Sequence, residues 1–304
     1  MTSPSTSVVI ATRDRPLMVR EAIDAVLAQD YDGRVEVVVV ADQSEPDESL
    51  VRLGGDRSVR VVRNDRTPGL AGARNTGISA SPSEFVAFCD DDDYWLPGKL
   101  RSQVDALLAR PEAGLCTSGI RVEYDGDTFP RLLRRDVVSF EELLRNRHTE
   151  LHPSTFVMRR SVLLERVGLV DEHVPGGFGE DYEFLLRCAK AHPIVNVPQP
   201  FVAVRWGKQS FFFRRWATMS DGLSWLLERY PEFESSPQGS ARVRGQIAFA
   251  QASMGHRRAA LRWAGQSLRR NPREPRAYLA AAVASRAVSP DRVMELLHRR
   301  GRGI

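Results

Sequence analysis

Four consecutive aspartates, Asp90 to Asp93, are the residues of this sequence best suited to chemistry. They follow a short apolar run, residues 85–89, whose length and aromatic and β-branched content are typical of a buried strand. Adjacent carboxylates repel one another, and burying them is costly unless a cation or several donors neutralise them. A hard divalent cation, Mg²⁺ or Mn²⁺, prefers carboxylate oxygens and leaves positions for substrate phosphates. The cluster therefore predicts a metal site; a solvated acidic loop before a helix is the alternative.

The elements that must position this cluster alternate along the first half of the chain. Strand patterns at residues 7–12, 35–40, 59–63 and 85–89 alternate with helical patterns at 17–29, 45–53, 67–77 and 97–109. This alternation predicts an α/β domain with a mostly parallel central sheet and flanking helices. Further strand patterns lie at 114–124, 152–158 and 195–205, and helical patterns lie at 139–145, 161–167 and 182–191. Two prolines within residues 195–205 predict an edge strand there.

Polar side chains follow three of the predicted strands, at the sheet edge where α/β proteins bind ligands. These groups are residues 12–14, 42–44 and 90–93. Asp42 suits a nucleobase edge or a ribose hydroxyl, with a helix N-cap as the alternative. The glycine-rich residues 69–77 are suited to phosphate, with Arg74 supplying charge. They match neither the P-loop nor the dinucleotide fingerprint, and glycines used only for packing are the alternative.

Two carboxylates open a later helix, after the glycine-rich residues 176–179. Glu180 and Asp181 would favour a helix N-terminus for dipole reasons alone, which is the alternative to a functional role. The glycines before them indicate close approach to a ligand, and the spacing of Asp181 with Leu185 points its side chain inward. His152 is interpreted as structural, because nothing near it in the sequence completes a triad or a metal set.

Composition places the chain of 304 residues, with 42% hydrophobic and 27% charged residues, among soluble globular proteins. We find no apolar run of roughly 18 residues and no signal-peptide pattern at the start of the sequence. The three cysteines, Cys89, Cys116 and Cys188, form no metal or redox motif. These features predict reduced thiols and a cytoplasmic location, with the inner face of a membrane as a further expectation.

The net charge of +4 is unevenly distributed. Residues 255–304 hold 12 arginines against three acidic residues, a net charge of +9, which leaves −5 for the rest of the chain. Such a tail suits peripheral contact with an anionic membrane surface, and we do not expect nucleic acid as a partner. A solvated helical face is the alternative.

The C-terminal part of the chain has helical patterns from about residue 216. Residues 241–274 resemble one tetratricopeptide repeat in the positions of three small residues and a closing proline, namely Ala248, Gly255, Ala260 and Pro272. One such repeat cannot bury its own face, so it should dock on the catalytic domain or on another subunit of a homo-oligomer. The predicted domains are residues 1–215 and residues 216–304.

Five short segments together make residues 7–210 resemble the family 2 glycosyltransferases with a GT-A fold. They are VIATRDRP (9–16), VVVADQS (38–44), GARNTG (72–77), FCDDDDYW (88–95) and GEDY (179–182). The resemblance implies a Rossmann-like GT-A domain and a nucleotide-sugar donor, with a UDP-sugar favoured. It also implies a divalent metal, Mn²⁺ or Mg²⁺, and inversion at the anomeric carbon. The acceptor is open: a glycan, a lipid-linked sugar or a small molecule.

The same resemblance implies roles for individual residues. The metal residues are Asp90, Asp92 and Asp93, the catalytic base is Asp181, and the donor-binding residues are Thr12, Asp14, Asp42, Arg74, Asp91 and Glu180. Asp90 and Asp92 form the Asp-x-Asp motif, with Asp92 as the expected metal ligand. The chain departs from the family at Asp14 and Ala41, which leaves the nucleobase open. Gly207 stands where a histidine is common, which leaves a diphosphate-binding role of this segment open, with Arg205 or Lys208 as the alternatives to that histidine.

Two other functions fit the same sequence. A nucleotidyltransferase of similar fold would attack a phosphate instead of a sugar carbon. A catalytically silent interaction module would use the basic helical tail to bind a partner.

Overall fold

The computed structural model describes residues 3–206, 215–298 and 304, which form two compact units. The first comprises the described residues of Met1–Ser139, His148–Glu172 and Glu180–Gly207. The second comprises those of Phe140–Arg147, His173–Gly179 and Lys208–Ile304. Two short internal segments thus join the C-terminal helices, and the division of the chain at residue 215 stays a prediction.

In the described part of the chain, the first unit is built around one sheet of ten strands. The strands are β1 (Thr6–Thr12), β2 (Val35–Ala41), β3 (Arg57–Arg63), β4 (Phe85–Phe88), β5 (Tyr94–Trp95), β6 (Leu115–Tyr124), β7 (Asp127–Arg131), β8 (Val137–Val138), β9 (Val157–Arg159) and β10 (Ile194–Arg205). Their order across the sheet is β3-β2-β1-β4-β9-β6-β10-β5, with β7 beside β6 and β8 beside β10.

The helices are numbered along the whole chain. They are α1 (Pro16–Leu27), α2 (Leu70–Ala80), α3 (Lys99–Leu108), α4 (Phe140–Arg145), α5 (Arg160–Val162), α6 (Glu180–Ala191), α7 (Trp216–Arg229), α8 (Pro237–Ser253), α9 (Arg257–Arg270), α10 (Pro275–Ala284) and α11 (Pro290–His298). A π-helical turn, Leu163–Val167, continues α5, and short 3₁₀ turns lie at Glu48–Leu50, Pro153–Thr155, Pro175–Gly177 and Pro231–Ser235.

The α/β fold class is confirmed, and its parallel part lies where valine-rich strands predicted it. Strand β1 pairs in parallel with β2 on one side and β4 on the other, and β3 continues the parallel order beyond β2. Strand β2 is buried along nearly its whole length, as expected for a strand covered on both faces. The three strands β2, β1 and β4 therefore end at the same edge of the sheet.

The rest of the sheet is mixed. Strand β9 runs antiparallel between β4 and β6, whereas β6 and β10 are parallel. Strand β7, which the pattern of the sequence did not predict, forms a hairpin with β6. The turn between them is Asp125-Gly126, and both residues have positive φ, 52° and 85°. Such Asp-Gly turns suit two-residue hairpins, and antiparallel neighbours need no crossover helix.

Strand β10 is not an edge strand. It pairs with β6 along one side, while its other side pairs with β8 near Ile194 and with β5 near Val202. Pro198 and Pro200 lie between those two short partners, and the register with β6 shifts around Pro200. The prolines therefore lie in the gap between β8 and β5, where this side of β10 has no neighbouring strand to accept a backbone hydrogen bond. The prediction of an edge strand is wrong, but the missing backbone donor on which it was based is accommodated in this gap.

The second unit is helical. Small residues line the contacts among α8, α9 and α10, including Ala248, Ala260 and Ala277, all fully or almost fully buried. Gly239 of α8 lies so close to the Leu144 carbonyl of α4 that a Cβ would overlap it. Close packing of this kind explains why residues 140–147 belong to this unit.

The glycine-rich residues before α6 also pack within the second unit. A Cβ on Gly176 would overlap the side chain of Thr218, and a Cβ on Gly222 would overlap the Phe178 backbone. Gly176, Gly177 and Gly179 have positive φ, which glycine adopts without strain. Two features, packing and backbone conformation, thus account for glycines that the sequence suggested were needed for close approach to a ligand.

A buried lysine opens α3 in the first unit. Lys99 is fully buried, and its Nζ has no hydrogen-bond partner among the described residues. The ammonium lies 3.7 Å from the centroid of the Trp95 ring, a cation–π contact. Burial lowers the pKa of Lys99 to about 7, with the Cys89 and Cys116 thiols nearby opposing the shift.

We expect Lys99→Met to remove a pH dependence of stability. Lys99 titrates near 7 when folded and near its ordinary value of 10.5 when unfolded, so between these values the unfolded chain binds more protons. The free energy of unfolding then rises with pH by at most about 1.4 kcal/mol per pH unit. Between about pH 7.5 and about pH 9.5, the free energy of unfolding measured with urea should rise by roughly 2 kcal/mol more for the wild type than for Lys99→Met. Lys190→Met, at an exposed position, is the control, and equal pH slopes for wild type and Lys99→Met would contradict the prediction.

Candidate active site

The carboxyl ends of β1, β2 and β4 bring three predicted site residues to one edge of the sheet. Thr12 ends β1, Asp42 follows β2, and Asp90 lies two residues beyond β4. These strands are adjacent and parallel, so the chain positions that follow them are neighbours. The edge was predicted correctly from the alternation of elements.

Arg15 and Thr12 hold the middle of the aspartate cluster. Thr12 Oγ1 donates to Asp91 Oδ2 at 2.7 Å, and Arg15 Nη1 donates to Asp91 Oδ1 at 2.9 Å. The same Arg15 nitrogen lies 3.0 Å from Asp92 Oδ2. Burial raises the pKa of both Asp91 and Asp92, and the neighbouring carboxylate of Asp90 raises them further. Asp91 is therefore held by protein donors, whereas 39% of the Asp92 side chain stays exposed.

Arg74 is the buried cation of the site. Its side chain is 3% exposed, and it donates to Asp90 Oδ1 at 2.7 Å and to Glu180 Oε1 at 2.8 Å. One guanidinium cannot fully offset two buried carboxylates. Burial opposes ionisation of Asp90, but Arg74 and His152 outweigh it and lower the Asp90 pKa. Burial raises the pKa of Glu180 to about 7, with Arg74 opposing the shift and Asp181 adding to it. The pKa values of the two carboxylates that share Arg74 are thus shifted in opposite directions.

Glycines bring Arg74 to this position. A Cβ on Gly72 would overlap the Thr67 carbonyl oxygen, and a Cβ on Gly77 would overlap the Val9 side chain of β1. These two glycines therefore let α2 pack closely on its neighbours. Close packing therefore explains both glycines, and Arg74 is the residue of α2 that brings positive charge to the site.

Asp93 belongs to a second network, with the turn before β9. The Ser154 hydroxyl donates to Asp93 Oδ2 at 2.5 Å and accepts from the Asp90 backbone N–H at 3.0 Å. His152 Nδ1 lies 3.3 Å from Asp93 Oδ2. Burial raises the pKa of Asp93 well above its ordinary range, and the Asp90 and Asp92 charges add to the shift. Trp95 Nε1 donates to the Ser154 carbonyl at 3.0 Å and so ties this turn to β5.

The sequence shows no partner for His152, but the structure places two carboxylates beside it, and the structural interpretation of His152 stays a prediction. One ligand atom each from Asp90, Asp93 and His152 all lie within 4.8 Å of one another, close enough to share a metal ion. This group includes two of the three predicted metal residues and replaces Asp92 with a histidine. The histidine is 59 positions after Asp93 in the chain, so only the pairing of β9 with β4 and β6 brings it near.

Asp42 is buried and fully engaged. Its carboxylate accepts from the Gly69 backbone N–H at 3.1 Å, from Asn64 Nδ2 at 2.8 Å and from Gln43 Nε2 at 3.0 Å. It therefore joins the ends of β2 and β3 to the start of α2, where Gly69 has a φ of 120°. This geometry supports a positioning role at the sheet edge alongside any contact with a ligand.

Asp14 does not join the cluster. Its side chain is 76% exposed, and its nearest charged partner is Arg13 at 3.9 Å. Its φ of 53° is a left-handed conformation that aspartate tolerates better than most residues. A donor-binding role for Asp14 stays a prediction without a contact to support it.

Asp181 lies in the first turn of α6, beside Glu180. Its Oδ1 accepts from the Tyr182 backbone N–H at 2.7 Å. Burial lowers the pKa of Arg74, but the charges of Asp90, Glu180 and Asp181 outweigh it and raise that pKa. The predicted base thus lies within electrostatic range of the buried cation that contacts Asp90.

The predicted diphosphate residues differ in what the structure describes. Arg205 donates to Glu21 Oε2 at 2.6 Å, and its guanidinium carbon lies 5.0 Å from the Tyr94 ring centroid. Lys208 lies outside the described residues. Among the residues that sequence reasoning missed, Arg15, His152 and Ser154 contact the aspartates directly. Arg15 is visible beside Asp14 in the sequence, but no pattern pairs it with residues 76 positions away.

Solved structures first place the fold in a class. The chain is similar to S. aureus TarS 1–349 in complex with UDP-GlcNAc, with a TM-score of 0.58 at 17% identity over 98% of this chain and 92% of that one. It is also similar to the mannosyltransferase PcManGT from Pyrobaculum calidifontis in complex with GDP-Man and Mn²⁺, with a TM-score of 0.56 at 19% identity over 95% and 82% of the two chains. At these identities the likeness establishes the fold, which is that of GT-A-like glycosyltransferases.

The sequence then places the chain in a family. Residues 7–167, more than half of the chain, match the model of glycosyl transferase family 2, and the chain belongs to that family. An uncharacterized Mycobacterium tuberculosis protein is 27% identical over 241 residues, which cover 73% of this chain. The Escherichia coli UDP-Glc:α-D-GlcNAc-diphosphoundecaprenol β-1,3-glucosyltransferase WfgD is 22% identical over 200 residues, 66% of this chain and 76% of that protein.

The matched lengths differ among the relatives. The chain spans 66% of the length of the mycobacterial relatives and 55% of a longer TarS chain. Within the ranges 3–206 and 215–298, no helix is both long and apolar enough to cross a membrane.

Arg74→Met should destabilise the fold strongly, because it leaves two buried carboxylates without their cation. We expect a loss of about 3–5 kcal/mol in the free energy of unfolding by urea. Arg74→Lys keeps the charge but not the fork that reaches both carboxylates, so its loss should be smaller. Arg20→Met breaks an exposed pair with Asp47 and should cost less than about 1 kcal/mol. Similar losses for Arg74→Met and Arg20→Met would show that the buried pairs do not stabilise the fold.

Proposed function

We propose that this chain transfers a sugar from a nucleotide-diphosphate sugar to an acceptor hydroxyl, with inversion at the anomeric carbon. The observation that carries the proposal is the cluster of aspartates at the common end of β1, β2 and β4, with Arg74 buried between Asp90 and Glu180. Ligands of open α/β sheets bind at that edge. Membership of glycosyl transferase family 2 supports the same reaction.

The donor is a nucleotide sugar, with a UDP-sugar favoured. The name of the relative WfgD includes UDP-Glc, and TarS was solved with UDP-GlcNAc, although PcManGT was solved with GDP-Man. Thr12 and Asp42 stand at the ends of β1 and β2, where they would hold the ribose and nucleobase. Asp91 accepts hydrogen bonds from Thr12 and Arg15, so it would support donor binding by holding these two side chains in position.

The residues at the site fit a divalent cation, Mn²⁺ or Mg²⁺. Among the described residues, the aspartates Asp90 to Asp93 pair with Arg15, Arg74 and His152, and Arg74 is shared with Glu180, so the carboxylates outnumber the cations. The cation would be held by Asp90, by Asp92 of the Asp-x-Asp motif, or by the group Asp90, Asp93 and His152. When bound, it would offset the negative charge that grows on the departing diphosphate. Mn²⁺ is present with PcManGT, which supports a metal of this kind.

The chain's own residues would supply the remaining steps. Asp181 accepts the proton of the acceptor hydroxyl while the oxygen of that hydroxyl forms a bond to the anomeric carbon. The bond from that carbon to the diphosphate oxygen breaks at the same time, and the nucleoside diphosphate leaves. Arg74, which donates hydrogen bonds to both Asp90 and Glu180, supplies a fixed positive charge beside the aspartate cluster. A single base and direct attack give inversion.

The acceptor and the location are proposed from the relative WfgD and from the charge of the C-terminal region. WfgD is named for a diphosphoundecaprenol-linked acceptor, and we favour a lipid-linked acceptor for this chain too. The enzyme would then work in the cytoplasm, at the inner face of a membrane, with the basic C-terminal region in peripheral contact. The helix pair α8–α9 is proposed as a tetratricopeptide-like unit, and a homo-oligomer remains an expected state.

A thermal-shift panel tests the donor and the metal together. We expect one nucleotide sugar among UDP-, GDP-, dTDP- and CMP-sugars to raise the Tm, and more so with Mn²⁺, because a ligand that binds only the folded state stabilises it. Asp92→Ala and His152→Ala separate the two ligand sets: the variant at a true ligand loses the Mn²⁺-dependent part of the shift. Glu228→Ala, which removes an exposed carboxylate of α7 in the second unit, is the control. A folded protein that shows no shift with any of the four donors would refute the proposal.

The base is tested by Asp181→Asn. The amide keeps the shape but accepts no proton, so we expect transfer to fall by roughly 10²–10⁴-fold while the donor still shifts the Tm. Radiolabelled product formation and the donor-induced Tm shift should be measured on the same preparation. Full turnover by Asp181→Asn would remove Asp181 from the mechanism, and loss of the donor shift would assign it to binding instead.

A further inference from the structure

One face of α9 concentrates positive charge without compensation. Arg258, Arg262 and Arg269 are exposed and recur at helical spacing, and Gly265 between them faces open space. The opposite face, with Ala260, Ala264 and Ser267, is buried within the second unit. The helix has five arginines and no acidic residue.

These three arginines differ from others nearby in having no acidic partner. Arg270 of the same helix and Arg244 of α8 both pair with Glu234, and Arg276 pairs with Glu274 at 2.8 Å. Within the described residues no carboxylate lies within ion-pair distance of Arg258, Arg262 or Arg269. Their charge is therefore free to act on a partner from outside.

A large exposed apolar side chain borders this charged face. Leu261 is 55% exposed and lies one position before Arg262 in α9, about 60° around the helix from Arg258. A nucleic-acid backbone would place charged phosphates against it, whereas the boundary between lipid headgroups and acyl chains accommodates both kinds of side chain. The combination favours a membrane surface over nucleic acid.

A groove extends the positive surface at the start of α9. It has a volume of about 330 Å³ and is lined by the turn from α8 to α9 and the turn from α10 to α11. Arg257 and Arg286 stand at it, while Ala252, Val283 and Val288 form apolar walls. Charged and apolar lining together suit the glycerophosphate part of a phospholipid.

We propose that this surface, consisting of Arg257, Arg258, Leu261, Arg262, Arg269 and the adjoining groove, binds bilayers that contain anionic phospholipids. The arginines neutralise the negative surface, and Leu261 enters the headgroup boundary. The inference rests on the proposed function and makes its membrane location specific, but its test does not use catalysis.

Vesicle flotation with the full chain tests the surface. The wild type should bind vesicles of phosphatidylcholine with about one third phosphatidylglycerol, bind pure phosphatidylcholine far less, and lose binding as salt rises. The variant R258Q/R262Q/R269Q should bind the anionic vesicles roughly 100-fold more weakly, since each basic residue contributes about a fivefold preference at such a surface. Leu261→Ser should weaken binding roughly tenfold.

The control variant R34Q/R134Q/R145Q makes the same change in net charge at exposed sites outside this surface, and it should bind like the wild type. Glutamine is a good helix former, and circular dichroism should show equal helicity for both triple variants. Equal loss in the two variants, equal binding to neutral vesicles, or binding of duplex DNA in preference to vesicles would overturn the proposal. A nucleotide-sugar Tm shift in the α9 variant reports on the catalytic site separately, so failure of one proposal is distinguishable from failure of the other.

Discussion

Four successive carboxylates at the end of a buried strand are the constraint on which the first unit depends. Each needs donors or positive charge, and the chain supplies them from different elements. Arg15 precedes α1, Arg74 lies in α2, and the turn before β9 contributes Ser154 and His152. Neutralising the cluster therefore fixes the positions of loops that are distant in sequence. The carboxylates outnumber the arginines that contact them, and this imbalance supports the proposed cation.

The parallel half of the fold could be predicted because its signals are local. The valines of residues 35–40 indicate a doubly covered strand, and the alternation with helices sets the parallel order. Parallel neighbours end at one edge, so the amino-acid sequence alone places Thr12, Asp42 and the aspartates near one another. The boundaries of the predicted strands in this half agree with the structure to within about two residues, as expected for strongly apolar runs.

The remaining features depend on contacts that a linear pattern does not contain. His152 joins Asp93 only because β9 inserts antiparallel between β4 and β6. The prolines of β10 were informative about a missing donor but not about the two short strands on either side of them. Residues 140–147 and 173–179 belong to the helical unit through close glycine contacts, which composition does not reveal. Long-range pairing, not local propensity, decides each of these cases.

Helix α2 shows how the constraint spreads through the first unit. Three successive buried residues of this helix each hold a different segment: Arg74 reaches Asp90 and Glu180, Asn75 bonds the backbone of Val170, and Thr76 bonds Asn64 and Asp65. A helix normally buries apolar residues, and buried polar residues are tolerated only when each is satisfied. Because one rigid element carries all three, Arg74 cannot shift without disturbing the end of β3 and the segment near residue 170. The positive charge between Asp90 and Glu180 is thus preorganised, which is the condition under which a fixed charge stabilises a transition state most effectively.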